Sequence, residues 1–110
     1  MKVLEKYEHE IMEDGNAMLD LIPVEDFEEI TVYVAYGDGF YTIFDGGSTA
    51  NELRMIYNFS SKIFTKKLDE ICKEYEISVE NEVFYTECDE SEFDDRLNKF
   101  ITALNKICNI

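Results

Sequence analysis

Apolar positions along this chain change period several times, and each change marks an element. Over residues 1–14, Val3, Leu4, Tyr7, Ile11 and Met12 recur at helical spacing while Glu5, Glu8, Glu10 and Glu13 face away, which predicts a helix ended by Gly15-Asn16. Ala17 to Ile22 predicts a short strand stopped by Pro23, and the acidic loop Glu25-Asp26-Phe27-Glu28-Glu29 follows. From Ile30 the period is two: Ile30, Val32, Val34 and Tyr36 alternate with Thr31, Tyr33 and Ala35. Asp38-Gly39 supplies the positive φ angles of a tight turn, and Phe40 to Phe44 returns. Counting back from that turn sets Tyr36 against Tyr41 and Val34 against Ile43. The second face, with Tyr33, Ala35, Phe40, Thr42 and Phe44, is also largely apolar. Either both faces are covered, or one of them meets a partner.

Asp45-Gly46-Gly47 breaks the strand, and Thr49-Ala50-Asn51-Glu52 has the form of a capping box, which predicts a helix from Ala50 towards Tyr57. Ser60 or Ser61 caps a second helix with Ile63, Phe64, Leu68, Ile71, Cys72 and Tyr75 on its buried stripe; Lys62, Lys66, Lys67 and Lys73 lie on its exposed side. Val79 to Cys88 reads as one long strand. Asp89-Glu90-Ser91-Glu92 caps a last helix whose apolar face runs from Phe93 through Leu97, Phe100, Ile101, Leu104 and Ile107 to Cys108. The expected order is α, β, hairpin, α, α, β, α. That is a single small α+β domain over residues 1–110, an antiparallel sheet of about three to four strands with helices packed on it.

Charge changes the picture most. The chain of 110 residues carries 25 Asp and Glu against 10 Lys and Arg, a formal −15. Between Glu74 and Asp95 there are ten acids and no Lys or Arg. With 45% hydrophobic residues, eight Phe and seven Tyr, it can bury a core despite that repulsion. A pI of about 4.2 argues against direct binding to nucleic acid or an anionic membrane, since phosphates demand Lys and Arg. Its natural partners are then basic proteins, cations, or nothing. Cys72, Cys88 and Cys108 are odd in number without C-x-x-C spacing, the pattern of reduced thiols in a cytoplasmic protein. MKVLEKYEHE lacks the apolar core of a signal peptide, and no apolar run approaches the ~20 residues of a membrane span.

Candidate chemistry is sparse, and no catalytic residue or cofactor is expected. A Cys–His nucleophile would need His9, the sole histidine, which the pattern places on a solvated acidic helix. The late strand offers Glu80, Glu82 and Glu87 for a metal-dependent nuclease but no Lys. The run Asp89 to Asp95 lacks the glycine and ordered spacing of an EF-hand, and an N-cap with a negative first turn explains it. Asp45 and Glu52 would repel an anion from Gly46-Gly47. Those glycines turn the chain, with Asp45 anchoring the turn to backbone N–H groups.

The stretch Phe40-Tyr41-Thr42-Ile43-Phe44-Asp45-Gly46-Gly47-Ser48-Thr49, followed by Leu53, resembles the hairpin signature of an uncharacterised bacterial and phage family, domain-of-unknown-function family 1828. That family tends to show Tyr-x-Leu-Thr-Asp-x-Gly, an upstream apolar-Pro step and a closing amphipathic helix. Leu21-Ile22-Pro23 and Phe93 to Ile107 stand in that order here, while Phe44 replaces the Thr before Asp45 and the segment from Pro23 to Ile30 is short. The resemblance implies only a phage or mobile-element setting; the family itself supplies no activity. In size, acidity and expected lack of catalysis the chain is also similar in type to phage-encoded anti-CRISPR proteins.

Two functions follow as expectations. In the first, the chain is a non-enzymatic inhibitor that binds a basic nucleic-acid-handling defence protein, such as a Cas9-like CRISPR effector, as a DNA mimic. Alternate strand acids such as Glu80 and Glu82 stand ~6.6 Å apart, and helical acids at i, i+3 such as Glu5 and Glu8 ~5–6 Å apart. Both approach twice the ~3.4 Å phosphate spacing of one DNA strand. The contact would use Glu87, Asp89, Glu90, Glu92, Asp94 and Asp95, with Glu25, Asp26, Glu28 and Glu29 as a second patch and hairpin aromatics as anchors. In the alternative, the apolar hairpin face pairs with a second copy as a homodimer or binds a regulator, and charge only keeps the protein soluble.

Overall fold

The computed structural model describes residues 2–19, 30–54 and 62–110. A 3-10 turn at Lys2–Leu4 leads into strands β1 (His9–Ile11), β2 (Ala17–Leu19), β3 (Val32–Gly37) and β4 (Phe40–Phe44). Helices α1 (Ser48–Arg54) and α2 (Lys62–Glu74) follow, then β5 (Ser78–Glu80), β6 (Val83–Cys88), a 3-10 turn at Glu90–Glu92, and helix α3 (Phe93–Cys108). The strands form one antiparallel sheet in the order β1-β2-β3-β4-β6-β5. The α+β class holds, but the sheet has six strands rather than three or four.

Two turns account for the extra strands. No α-helix forms over residues 2–14, only the 3-10 turn at its start. Instead the Asp14 carboxylate accepts the Asn16 N–H at 2.9 Å, Gly15 takes φ +87°, and Met12 N–H donates to the Asn16 carbonyl at 2.8 Å. These short-range bonds fold the segment into a β1–β2 hairpin and override its helical spacing. His9 is therefore on an edge strand. The stretch from Val79 to Cys88 is likewise no single strand, because Asn81 and Glu82 both sit at positive φ (51° and 64°) and reverse the chain between β5 and β6. The Asp38-Gly39 turn forms as expected, with φ of 55° and 84°, and pairs Tyr36 with Tyr41 and Val34 with Ile43.

One sheet face is the core. Ala17, Leu19, Val32, Val34, Ile43 and Phe84 are buried there under α3, which contributes Phe93, Leu97, Phe100, Ala103, Leu104, Ile107 and Cys108. Each large apolar side chain buried this way adds roughly 1.5–3 kcal/mol. Helices α1 and α2 both pack against α3, so every described helix lies on the same side. In α2, Phe64 is buried and Leu68, Ile71 and Cys72 are half-buried, as is Tyr75 just beyond its end, but Ile63 is 71% exposed and leaves the expected stripe. Lys66, Lys67 and Lys73 are exposed as expected.

Helix α1 begins at Ser48, before the expected start, and Thr49 does not cap it. The cap is the buried carboxylate of Asp45, which accepts N–H bonds from Gly47 (3.0 Å) and Thr49 (3.1 Å) and a third from Phe84 across the sheet (3.0 Å). Thr49 Oγ1 is buried without a hydrogen-bond partner among the described residues. Pro23 and its strand stop, Ser60, Ser61 and the Tyr57 end of α1 lie outside the described residues.

Candidate functional site

The acids expected to meet a partner cluster where β6 turns into α3, and most already have partners within the chain. Asp89 caps the 3-10 turn: its Oδ1 accepts from Ser91 Oγ (2.7 Å) and from the Glu92 N–H (3.0 Å), and these bonds hold its carboxyl below the ordinary range. Asp94 binds Lys6 Nζ and accepts the Tyr7 hydroxyl at 2.7 Å, which lowers its carboxyl too. Glu92 lies 3.9 Å from Arg96 and Asp95 3.5 Å from Lys99, each one helical turn apart. Arg96 also bonds Glu76 at 2.9 Å. Glu87 and Glu90 remain exposed, with no ion pair among the described residues. Glu25, Asp26, Glu28 and Glu29 lie outside the described residues.

Charge is sorted by layer. The three helices hold eight of the chain's Lys and Arg against six Asp and Glu. The six strands hold no Lys or Arg at all, and their only Asp or Glu residues are Glu10, Glu80 and Glu87. The remaining cations, Lys2 and Lys6, are in the N-terminal segment that meets α3.

The sheet face opposite the helices carries the second feature. Ladder partners run unbroken across all six strands as Glu10, Met18, Tyr33, Phe44, Tyr85 and Ser78. Directly opposed residues share a face, and strands stand about 4.8 Å apart, so the row spans roughly 24 Å. Its four central side chains are half-exposed. Tyr33 and Phe44 are stacked, with ring centroids 5.4 Å apart and planes 23° from parallel. The Tyr33 ring also lies against the Gly46 backbone, where an added Cβ would sit 2.9 Å from Cε2. Phe40, 53% exposed, extends the face towards the hairpin tip, and Glu87 is the ladder partner of Thr42 on it.

Classical catalytic groups are poorly arranged among the described residues. His9 lies 2.8 Å through Nδ1 from the Tyr7 carbonyl oxygen, which can accept its N–H. Burial pushes the Cys72 and Cys88 thiols up to about 11, which leaves them protonated and unreactive near neutrality. No group of three His, Cys, Asp or Glu among the described residues is placed to hold a metal. No described helix is long and apolar enough to cross a membrane.

Sequence reasoning found Tyr33, Phe44 and Phe40 on one face but missed Met18, Tyr85 and Glu10 as their neighbours. Their union depends on the strand order, which the misread hairpins concealed. One signal was present: the segments that became strands contain no Lys or Arg.

A family model described as a domain of unknown function, DUF1828, matches residues 21–107. No curated protein and no solved structure matches the chain.

Proposed function

The chain belongs to the DUF1828 family, and on that footing we propose that it is a non-enzymatic interaction module for a basic, nucleic-acid-handling protein. The observation that carries this reading is the sorting of charge: a chain of formal −15 keeps every Lys and Arg out of its sheet. Such a surface attracts a basic partner and repels nucleic acid and anionic membranes.

The mode favoured is steering by charge and holding by apolar contact. A DNA mimic needs free, regularly spaced carboxylates, and in the cluster from Glu87 to Asp95 only Glu87 and Glu90 are without a partner among the described residues. A CRISPR effector with a basic duplex channel is one partner of the proposed class, supported here by charge and size. Self-pairing through the sheet face is disfavoured, because a second copy would bring Glu10, Glu80 and Glu87 against acids of the same kind.

The test is affinity capture from host lysate at low and at moderate ionic strength, with mass spectrometry of the eluate. Recovery of basic nucleic-acid-handling proteins that salt displaces is the expected result. Salt-resistant recovery of the chain itself, or of no basic protein, overturns the proposal.

A further inference from the structure

We infer that the open sheet face is the docking surface of this module, and that its occupant is an arginine-rich segment of the partner protein. The inference rests on the basic-partner reading above and names its surface.

Three observations converge on one side of the sheet. Met18, Tyr33, Phe44 and Tyr85 form a continuous row that no described helix covers. Carboxylates frame that row: Glu10 stands beside Met18 at one end, while Glu87 and Glu80 bracket Tyr85 along the paired strands at the other. No cation of the chain lies on any strand.

Aromatic faces bordered by carboxylates suit guanidinium groups. A guanidinium stacks flat on a ring and still presents its N–H edge to an acid, which a compact ammonium does less well. Met18 and the stacked pair Tyr33/Phe44 accept the aliphatic stem of the same side chain. The row's length of roughly 24 Å admits about seven residues of extended chain, enough for several arginines. Single-stranded nucleic acid also stacks on sheet aromatics, but it needs neighbouring cations that this face lacks.

Fluorescein-labelled octa-arginine and octa-lysine, titrated into the full chain at physiological salt, test the idea by anisotropy. Octa-arginine should bind several-fold more tightly, and Tyr85→Ser with Met18→Thr should weaken it by roughly three- to tenfold. The charge reversal Glu90→Lys should affect both peptides alike. Amide shifts of the unmodified protein on adding octa-arginine should centre on Met18, Tyr33, Phe44 and Tyr85, which guards against a misfolded variant. Equal binding of the two peptides, with shifts centred on residues 87–95, would overturn the surface while leaving a basic partner in place. Failure of both peptides to bind would overturn both readings. Preferential binding of an oligothymidine would do the same.

Discussion

Asp45 and Phe84 are bonded in both directions: the Asp45 N–H donates to the Phe84 carbonyl at 3.1 Å, and Asp45 Oδ1 accepts the Phe84 N–H at 3.0 Å. The second carboxylate oxygen accepts from Thr49, so one fully buried side chain joins the end of β4, the start of α1 and the start of β6. The Asp of the hairpin signature thus has a sufficient structural reason in this chain. Asp45→Ala would strand the buried N–H donors of Thr49 and Phe84 and the half-buried one of Gly47, and should cost about 3–5 kcal/mol in urea unfolding. Asp45→Asn, which keeps one acceptor oxygen, should cost less. A loss below about 1 kcal/mol for Asp45→Ala would show that the turn is held by other contacts.

Burial, then the hydrogen bond to Asp94, pushes the Tyr7 hydroxyl up to about 12 from an ordinary value of 10. Because the folded-state value is the higher, the stabilisation is whole below pH 10 and fades as pH rises towards 12. Asp94 behaves oppositely. Its lowered carboxyl contributes above the ordinary carboxylate range, and that contribution fades in acid. Absorbance titration of the native protein should therefore show a late-ionising tyrosine that Tyr7→Phe removes. An unchanged titration curve for that variant would contradict the assignment.

Glu82 holds φ +64° at the second central position of the β5–β6 turn, a conformation costly for a side chain with a Cβ. Glu82→Gly should raise stability by about 0.5–1 kcal/mol, read as a higher midpoint in chemical unfolding. A fall in the midpoint would mean that the side chain's own interactions outweigh the backbone strain.

Cys72 and Cys88 should resist iodoacetamide at pH 8 in the folded protein and react readily once it is unfolded, since burial holds both thiols near 11. Rapid modification of either in the native state would place it in a more open setting.

What could be read from the chain follows from how local its causes are. Asp38-Gly39 announced its hairpin because the turn's φ angles are written into its residues. Asn81-Glu82 makes the same kind of turn with only one favourable residue, so the stretch from Val79 to Cys88 passed as one strand. The N-terminal stripe fitted a helix in spacing, yet Asp14, Gly15 and Asn16 decided the matter through bonds no periodicity records. Around the acids, the Glu92–Arg96 and Asp95–Lys99 pairs were readable at i, i+4. The Lys6–Asp94 pair, separated by 88 positions, exists only once the chain has folded. The face row is legible last of all, because it needs every strand in its place.

Charge is unevenly placed in this molecule: eight of its ten Lys and Arg lie on helices and none on a strand, while sixteen of its 25 Asp and Glu lie outside the described helices and strands. In the field of a basic surface the protein feels a torque before it feels a contact. A molecule so charged is turned while still several water layers from such a surface, and salt shortens the distance over which this happens. For the basic partner proposed above, orientation would then be prepared during diffusion, before the aromatic row made contact.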